Sequence, residues 1–234
     1  IWLNEGFATY CEWLWLEHAG FDPVIGTAEG TLATWRDRGG PVSRPDELFG
    51  VVSYDGGAVA LHALRLTLVH FAGGDWQEHE IEAAAAQTSR ILGQCGIVPG
   101  ATTLVRADVE ARFRQFHTPT SRELARNLRP GTPAIYFVDG TRQNPAFDAE
   151  AIGRGNSRSR PELRDTVWVV RGARDLDVVL AHELAHVLMD SGEHSQEPGN
   201  LMREETAPEN TRLSAAQCAR LRDTGSANRL LSPP

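Results

Sequence analysis

Two histidines one helical turn apart, with a glutamate beside the first, constrain this chain more than any other feature. The run is His182-Glu183-Leu184-Ala185-His186. Residues four apart on a helix project from one face, so both imidazoles can share one metal ion. Glu183 projects beside that position and suits a base acting on a bound water. His194, beyond a turn that contains Gly192, can supply a third nitrogen. Three protein ligands leave a tetrahedral zinc ion with one open position, the arrangement of catalytic rather than structural zinc.

A bare His-Glu-x-x-His arises by chance in many helices, so the residues downstream matter. His194-Ser195 is followed by Pro198-Gly199-Asn200-Leu201-Met202, with Met202 eight positions after His194. With these residues the stretch resembles the metzincin metallopeptidases, most closely their matrixin-like branch. The resemblance implies one Zn2+ held by His182, His186 and His194, with Met202 packed beneath the ion in a methionine turn. It implies Glu183 as the catalytic base and hydrolysis of internal bonds in a peptide or protein substrate. Zinc held by neutral histidines brings the pKa of its bound water to about 7, and Glu183 would pass the proton to the leaving amine. The chain departs from the family between the second and third histidines. Met189 stands where the family has glycine and the turn glycine is displaced to Gly192, as if two residues were inserted. Ser191-Gly192 is expected to break the helix, because glycine tolerates positive φ at a helix end. Asp190 and Glu193 are candidates to accept the second N–H of the histidines. No tyrosine follows Tyr136, so zinc would stabilise the oxyanion largely alone.

The N-terminal part carries a different likeness. Ile1-Trp2-Leu3-Asn4-Glu5-Gly6-Phe7-Ala8, then Val52-Ser53-Tyr54-Asp55-Gly56-Gly57-Ala58 and Leu61-His62-Ala63-Leu64-Arg65, resemble gluzincin aminopeptidases of the aminopeptidase N type. That resemblance implies a zinc-ligand ancestry for Glu5 and an intermediate-stabilising one for Tyr54. No His-Glu-x-x-His precedes Glu5, and one acidic ligand cannot hold a catalytic zinc. Residues 1–73 are therefore read as a mostly helical, aminopeptidase-like fragment with Glu5 and Tyr54 vestigial. Glu205, separated from His186 by 18 residues, matches the gluzincin spacing, but Pro208 argues against a helix interior there. It is read as a surface acid.

The remainder, residues 74–234, is expected to be an α/β (α+β) metzincin-like domain with a twisted sheet, an active-site helix, a methionine turn and a C-terminal helix. Ile81, Ala85, Thr88 and Leu92 recur on one face of an expected helix over 78–92. Strands are expected at 102–109, 134–138 and 166–170. Residues 110–132 read as a helix followed by a Pro/Gly connection, and 140–164 as a long polar loop. The metal helix begins near Asp175 or Asp177, either of which can cap it. Ser214 with Gln217 forms a capping-box pattern for the last helix.

At 234 residues, with 41% hydrophobic and 23% charged residues, the chain can bury a real core. Its net charge of −8 and the lack of a long basic stretch exclude nucleic acid as a partner. No apolar run reaches membrane-spanning length, and oligomeric state is not legible. Three cysteines permit one disulfide. Cys95 and Cys218 are the candidate pair, with unpaired buried thiols as the alternative. The chain opens at Ile1, inside an expected helix, so its true N-terminus is read as missing. The family likeness and the candidate bridge lean towards a secreted or periplasmic location. Against the endopeptidase stand two other readings, an aminopeptidase built on the N-terminal segment and a catalytically silent zinc-binding module.

Overall fold

The computed structural model describes residues 62–232, together with Ala19. Glu5 and Tyr54 lie outside the described residues. The chain divides into two compact units, Ile1–Leu61 and His62–Pro234. The boundary expected at 73/74 thus moves twelve residues earlier, because His62–Phe71 is a strand of the second unit rather than part of a helical fragment.

That strand, β1 (His62–Phe71), shows why the second unit is a three-layer structure. Leu64, Leu66 and Leu68 enter one core, whereas Val69 and Phe71 enter another. Alternate side chains of a strand point to opposite faces, so a strand apolar on both must be covered on both. The strands β4 (Ala134–Val138) and β7 (Thr166–Val170) repeat the division. Ile135, Phe137, Val167 and Val169 face one core, and Tyr136, Val138 and Trp168 face the other.

The sheet runs in the order β2-β1-β4-β7-β6, where β2 is Ile97–Ala107 and β6 is Ala149–Ile152. The pairings β1–β2, β1–β4 and β4–β7 are parallel, and β6 alone closes this path antiparallel to β7. Near the chain end β8 (Leu231–Ser232) adds an antiparallel pair to β1 at Ala63 and Leu64. Gln115–Phe116 (β3) and Gly140–Thr141 (β5) make a separate two-stranded ladder.

Four α-helices among the described residues cover the sheet: α1 (Glu78–Gly93), α2 (Thr118–Leu128), α3 (Leu176–Met189) and α4 (Ala215–Ala227). Their cores place α1, α3 and α4 on one face and α2 on the other. On the α2 face Tyr136 stacks on Trp168 with ring centroids 4.0 Å apart, and Phe116 meets Trp168 edge-on at 4.9 Å. Helix α3 is apolar nearly all round, with Val178 through Leu180 and Leu184 through Met189 buried, as befits a helix enclosed by neighbours. Helix α4 opens with the expected box: Ser214 Oγ accepts from the Gln217 amide, and Gln217 Oε1 accepts from the Ser214 amide. Cys95, just past α1, is bonded to Cys218 on α4.

Several sequence expectations change. Strand β2 starts at Ile97 rather than 102 and includes Pro99 and Gly100. It is an edge strand, where proline is tolerated, and a register shift between Leu64 and Leu66 absorbs the irregularity. A Cβ at Gly100 would lie 3.0 Å from the Leu64 carbonyl oxygen. The expected loop over 140–164 contains β6, whose Ala-Glu-Ala-Ile sequence has little strand propensity of its own and is held by β7. Asp175 occupies the first position before α3, but with φ 50° and no side-chain hydrogen bond to the helix. No described helix is long and apolar enough to cross a membrane.

The disulfide closes a separation of 123 residues. Reduction, or the pair Cys95→Ser and Cys218→Ser, is expected to cost about 2–4 kcal/mol of stability. Urea unfolding with and without reductant measures this, and coincident transitions would refute it.

Candidate metal centre

The helical period places His182 and His186 on the same face of α3, and the structure brings His194 to them from the following loop. His182 Nε2 lies 2.9 Å from His186 Nε2, which lies 3.3 Å from His194 Nε2. Ligating atoms of the three residues all fall within 4.8 Å of one another. His182 and His186 are buried and His194 is exposed.

The other ring nitrogens decide what these three can do. His182 Nδ1 is 2.7 Å from the Leu201 carbonyl oxygen and His186 Nδ1 is 2.5 Å from that of Ser191. A carbonyl oxygen only accepts, so each Nδ1 carries the proton, and a neutral ring then presents a bare lone pair at Nε2. Burial pushes the His182 pKa down against the opposing pull of the Leu201 carbonyl. Burial and the adjacent His182 push His186 down to about 4. Both rings are therefore neutral at neutral pH, with unprotonated nitrogens facing each other at contact distance. Such an arrangement repels unless a cation accepts the lone pairs. Tetrahedral zinc with Zn–N bonds of about 2.0–2.1 Å sets its ligand nitrogens about 3.4 Å apart, close to the separations found. The donor set fits a borderline-soft divalent ion.

The partners of Nδ1 differ from expectation. Backbone carbonyls take the place proposed for Asp190 and Glu193. Glu193 is exposed and paired with Arg220 at 2.6 Å. Asp190 ends the helix instead of Ser191-Gly192, with φ 46° and its amide directed at the His186 and Val187 carbonyls. Aspartate enters the left-handed region at lower cost than most residues. Here its Oδ1 also accepts from the Gly155 amide at 2.8 Å, which ties the helix end to the segment following β6.

Glu183 sits half-buried between the histidines in sequence and faces β6, where its carboxylate accepts from the Ala151 amide. Burial drives its pKa up to about 7 despite that hydrogen bond. Met202 is 1% exposed, in a turn braced from three sides. Its amide donates to Asn200 Oδ1 at 2.9 Å, its carbonyl accepts from Ser195 at 2.6 Å, and the Leu201 amide donates to Arg212 at 2.7 Å. Asn200 and Gln217 exchange two amide hydrogen bonds, at 2.9 and 3.1 Å. Gln217 is visible in the sequence only as a helix cap; its second role emerges from the fold. Glu205 is exposed, as expected of a surface acid.

A cleft of about 600 Å³ opens on this site, lined by Glu183 and the three histidines and by Ala149 to Ala151 of β6.

No family model matches the chain, and no curated protein matches its sequence. Among solved structures it is similar to metalloproteinase-II from Bacteroides fragilis, with 19% identity and a TM-score of 0.51 over 70% of this chain and 53% of that one. It is also similar to archaemetzincin from Methanopyrus kandleri, with 13% identity and a TM-score of 0.45 over 70% of this chain and 96% of that one. The chain spans about half the length of the Bacteroides protein. The architecture common to this chain and the Bacteroides enzyme is a mixed α/β fold around a mostly parallel sheet.

Asp190→Val would force a β-branched residue into the left-handed region and remove the acceptor of the Gly155 amide. A loss of about 2 kcal/mol is expected, whereas Asp190→Asn keeps an acceptor and a tolerated conformation and stays within about 1 kcal/mol. Denaturant unfolding of the two variants tests this, and equal midpoints would contradict the role given to Asp190.

Proposed function

We propose that the unit from His62 onwards is a zinc-dependent peptidase that hydrolyses internal peptide bonds. The convergence of one ring nitrogen from each of three imidazoles within 4.8 Å, in a cleft that Glu183 also lines, carries this reading. His182, His186 and His194 would hold the ion. When bound there, zinc acidifies a water molecule and polarises a carbonyl as a Lewis acid.

The protein's own groups perform the rest. The Leu201 and Ser191 carbonyls hold two imidazoles in the tautomer that points Nε2 inward. Glu183, with its pKa raised to about 7 by burial, is poised to accept a proton from water near neutrality and return it to the departing amine. The Ala151 amide orients that carboxylate. Strand β6 pairs on one side with β7 and lines the cleft, and its other edge has no strand partner among the described residues. An extended chain can add to such an edge through main-chain hydrogen bonds, which requires no free α-amino group and so supports endopeptidase over aminopeptidase action.

The exposure of His194 supports a second reading, a silent zinc-binding module whose third nitrogen engages too loosely for turnover. Metal analysis, thermal unfolding with added zinc, and cleavage of an N-terminally blocked peptide separate the two. The peptidase reading expects about one zinc per chain, stabilisation of about 2.7 kcal/mol at a hundredfold excess over the dissociation constant, and cleavage lost with a chelator. Glu183→Gln should retain zinc while turnover falls by at least about 10²-fold, and His194→Ala should lose both. Zinc-dependent stabilisation without cleavage would leave the silent module.

A further inference from the structure

Asn200 and Gln217 take no step in the hydrolytic mechanism, yet their side chains end on the group that aims His182. The oxygen facing His182 Nδ1–H is the carbonyl of the Leu201–Met202 peptide. The nitrogen of that same peptide is Met202 N, which donates to Asn200 Oδ1 at 2.9 Å. A trans peptide unit is planar, with its C=O and N–H directed opposite ways. Holding the N–H therefore aims the C=O, and through it the imidazole. Asn200 is 4% exposed, so its amide must find its partners within the protein.

Gln217 decides which way round the Asn200 amide sits. Asn200 Nδ2 donates to Gln217 Oε1 at 2.9 Å, and Gln217 Nε2 donates to Asn200 Oδ1 at 3.1 Å. Each oxygen also accepts a backbone N–H from outside the pair, that of Met202 on Asn200 and that of Ser214 on Gln217. A longer contact of 3.5 Å from Asn200 Nδ2 to Glu197 Oε2 favours the same orientation. With both oxygens committed to main-chain donors, each amino group faces the other residue's oxygen. Only a carboxamide at both positions satisfies all four of these hydrogen bonds. A helix cap makes no such demand. Glutamate serves as well as glutamine at this place in a capping box, and a carboxylate near a helix N-terminus is favoured. The cap alone leaves the choice between them open, and the pairing with Asn200 decides it.

We propose that Asn200 and Gln217 are positioning residues of the metal centre, acting on His182 through the Leu201–Met202 peptide. This rests on the zinc-binding part of the peptidase reading and not on hydrolysis. In a Gln217→Glu variant a carboxylate oxygen would face Asn200 Oδ1 where an N–H now lies 3.1 Å away. Asn200 can relieve that repulsion only by turning its amide over. The turn takes the acceptor from Met202 N–H and frees the peptide that holds His182. Groups that orient a ligating histidine are typically worth about 10–100-fold in metal affinity, and one step further out the lower end applies.

The test compares full-length wild-type, Gln217→Glu and Ser214→Ala proteins. Competition with a chromophoric chelator reads zinc affinity, and NMR of the zinc-free proteins reads the His182 Nδ1–H proton. Gln217→Glu is expected to bind zinc about tenfold more weakly, with the His182 Nδ1–H signal lost to exchange with water. Ser214→Ala removes the hydroxyl that caps α4 but spares the pair with Asn200. It should melt earlier while both readouts stay as in the wild type. Should Gln217→Glu fail to fold, Gln217→Met deletes both hydrogen bonds to Asn200 without adding charge and carries the same expectation. Wild-type zinc affinity and an unchanged imidazole proton in the Gln217 variants would overturn the proposal. Equal losses in Ser214→Ala and Gln217→Glu would reduce Gln217 to a helix cap and overturn it as well. Loss of the imidazole proton in the Gln217 variants alone, with no zinc bound even by the wild type, would sink the zinc reading and leave the positioning of His182 standing.

Discussion

His182 donates from Nδ1 to the Leu201 carbonyl, and much of the surrounding structure serves to hold that carbonyl still. A backbone oxygen in a loop is a poor anchor unless the loop is itself tied down. Here the Leu201 amide donates to the Arg212 carbonyl and the Met202 amide donates to Asn200 Oδ1. Asn200 is in turn gripped by Gln217, which also caps α4 through Ser214. The next residue, Cys218, is bonded to Cys95 beyond the end of α1. A continuous path of covalent and hydrogen bonds thus runs from one imidazole to two helices of the core. An interior packed to crystal-like density resists small displacements, so the ring orientation inherits the stiffness of the whole face rather than of one turn.

The same logic explains which parts were legible in the sequence. His182 and His186 could be placed because the helical period is local and needs no knowledge of the fold. The Ser214–Gln217 box and strands β4 and β7 were readable for the same reason, since their signals lie within a few consecutive residues. Strand β6 was not. Ala149–Ile152 becomes a strand because β7 offers it an edge, and nothing within those four residues announces it. Strand β1 was obscured differently. Its conformation is decided by the alternation of Leu64, Leu66 and Leu68 with their neighbours, a signal that overlaps the aminopeptidase-like run Leu61-His62-Ala63-Leu64-Arg65. Side-chain contacts between distant segments, such as Asn200 with Gln217 or Asp190 with Gly155, left no local trace at all.

The link between His186 and His194 is the sharpest case of geometry deciding what sequence spacing does not. His194 is not positioned by the helix before it. It is positioned from the other side. The Ser195 amide donates to the Met202 carbonyl at 2.6 Å, so the residue after His194 is fastened to the turn that also anchors His182. Asp190 halts the helix in a left-handed conformation fixed by Gly155, and the rest of the link lies between these two fixed points. There Gly192 and Glu193 are exposed, and Gly192 has no neighbour within 4 Å of where a side chain would begin. Glu193 leans on Arg220 rather than on the site. Extra loop length costs little when it projects into solvent. The separation of His186 and His194 is therefore set by the Met202 turn and the αL reversal at Asp190.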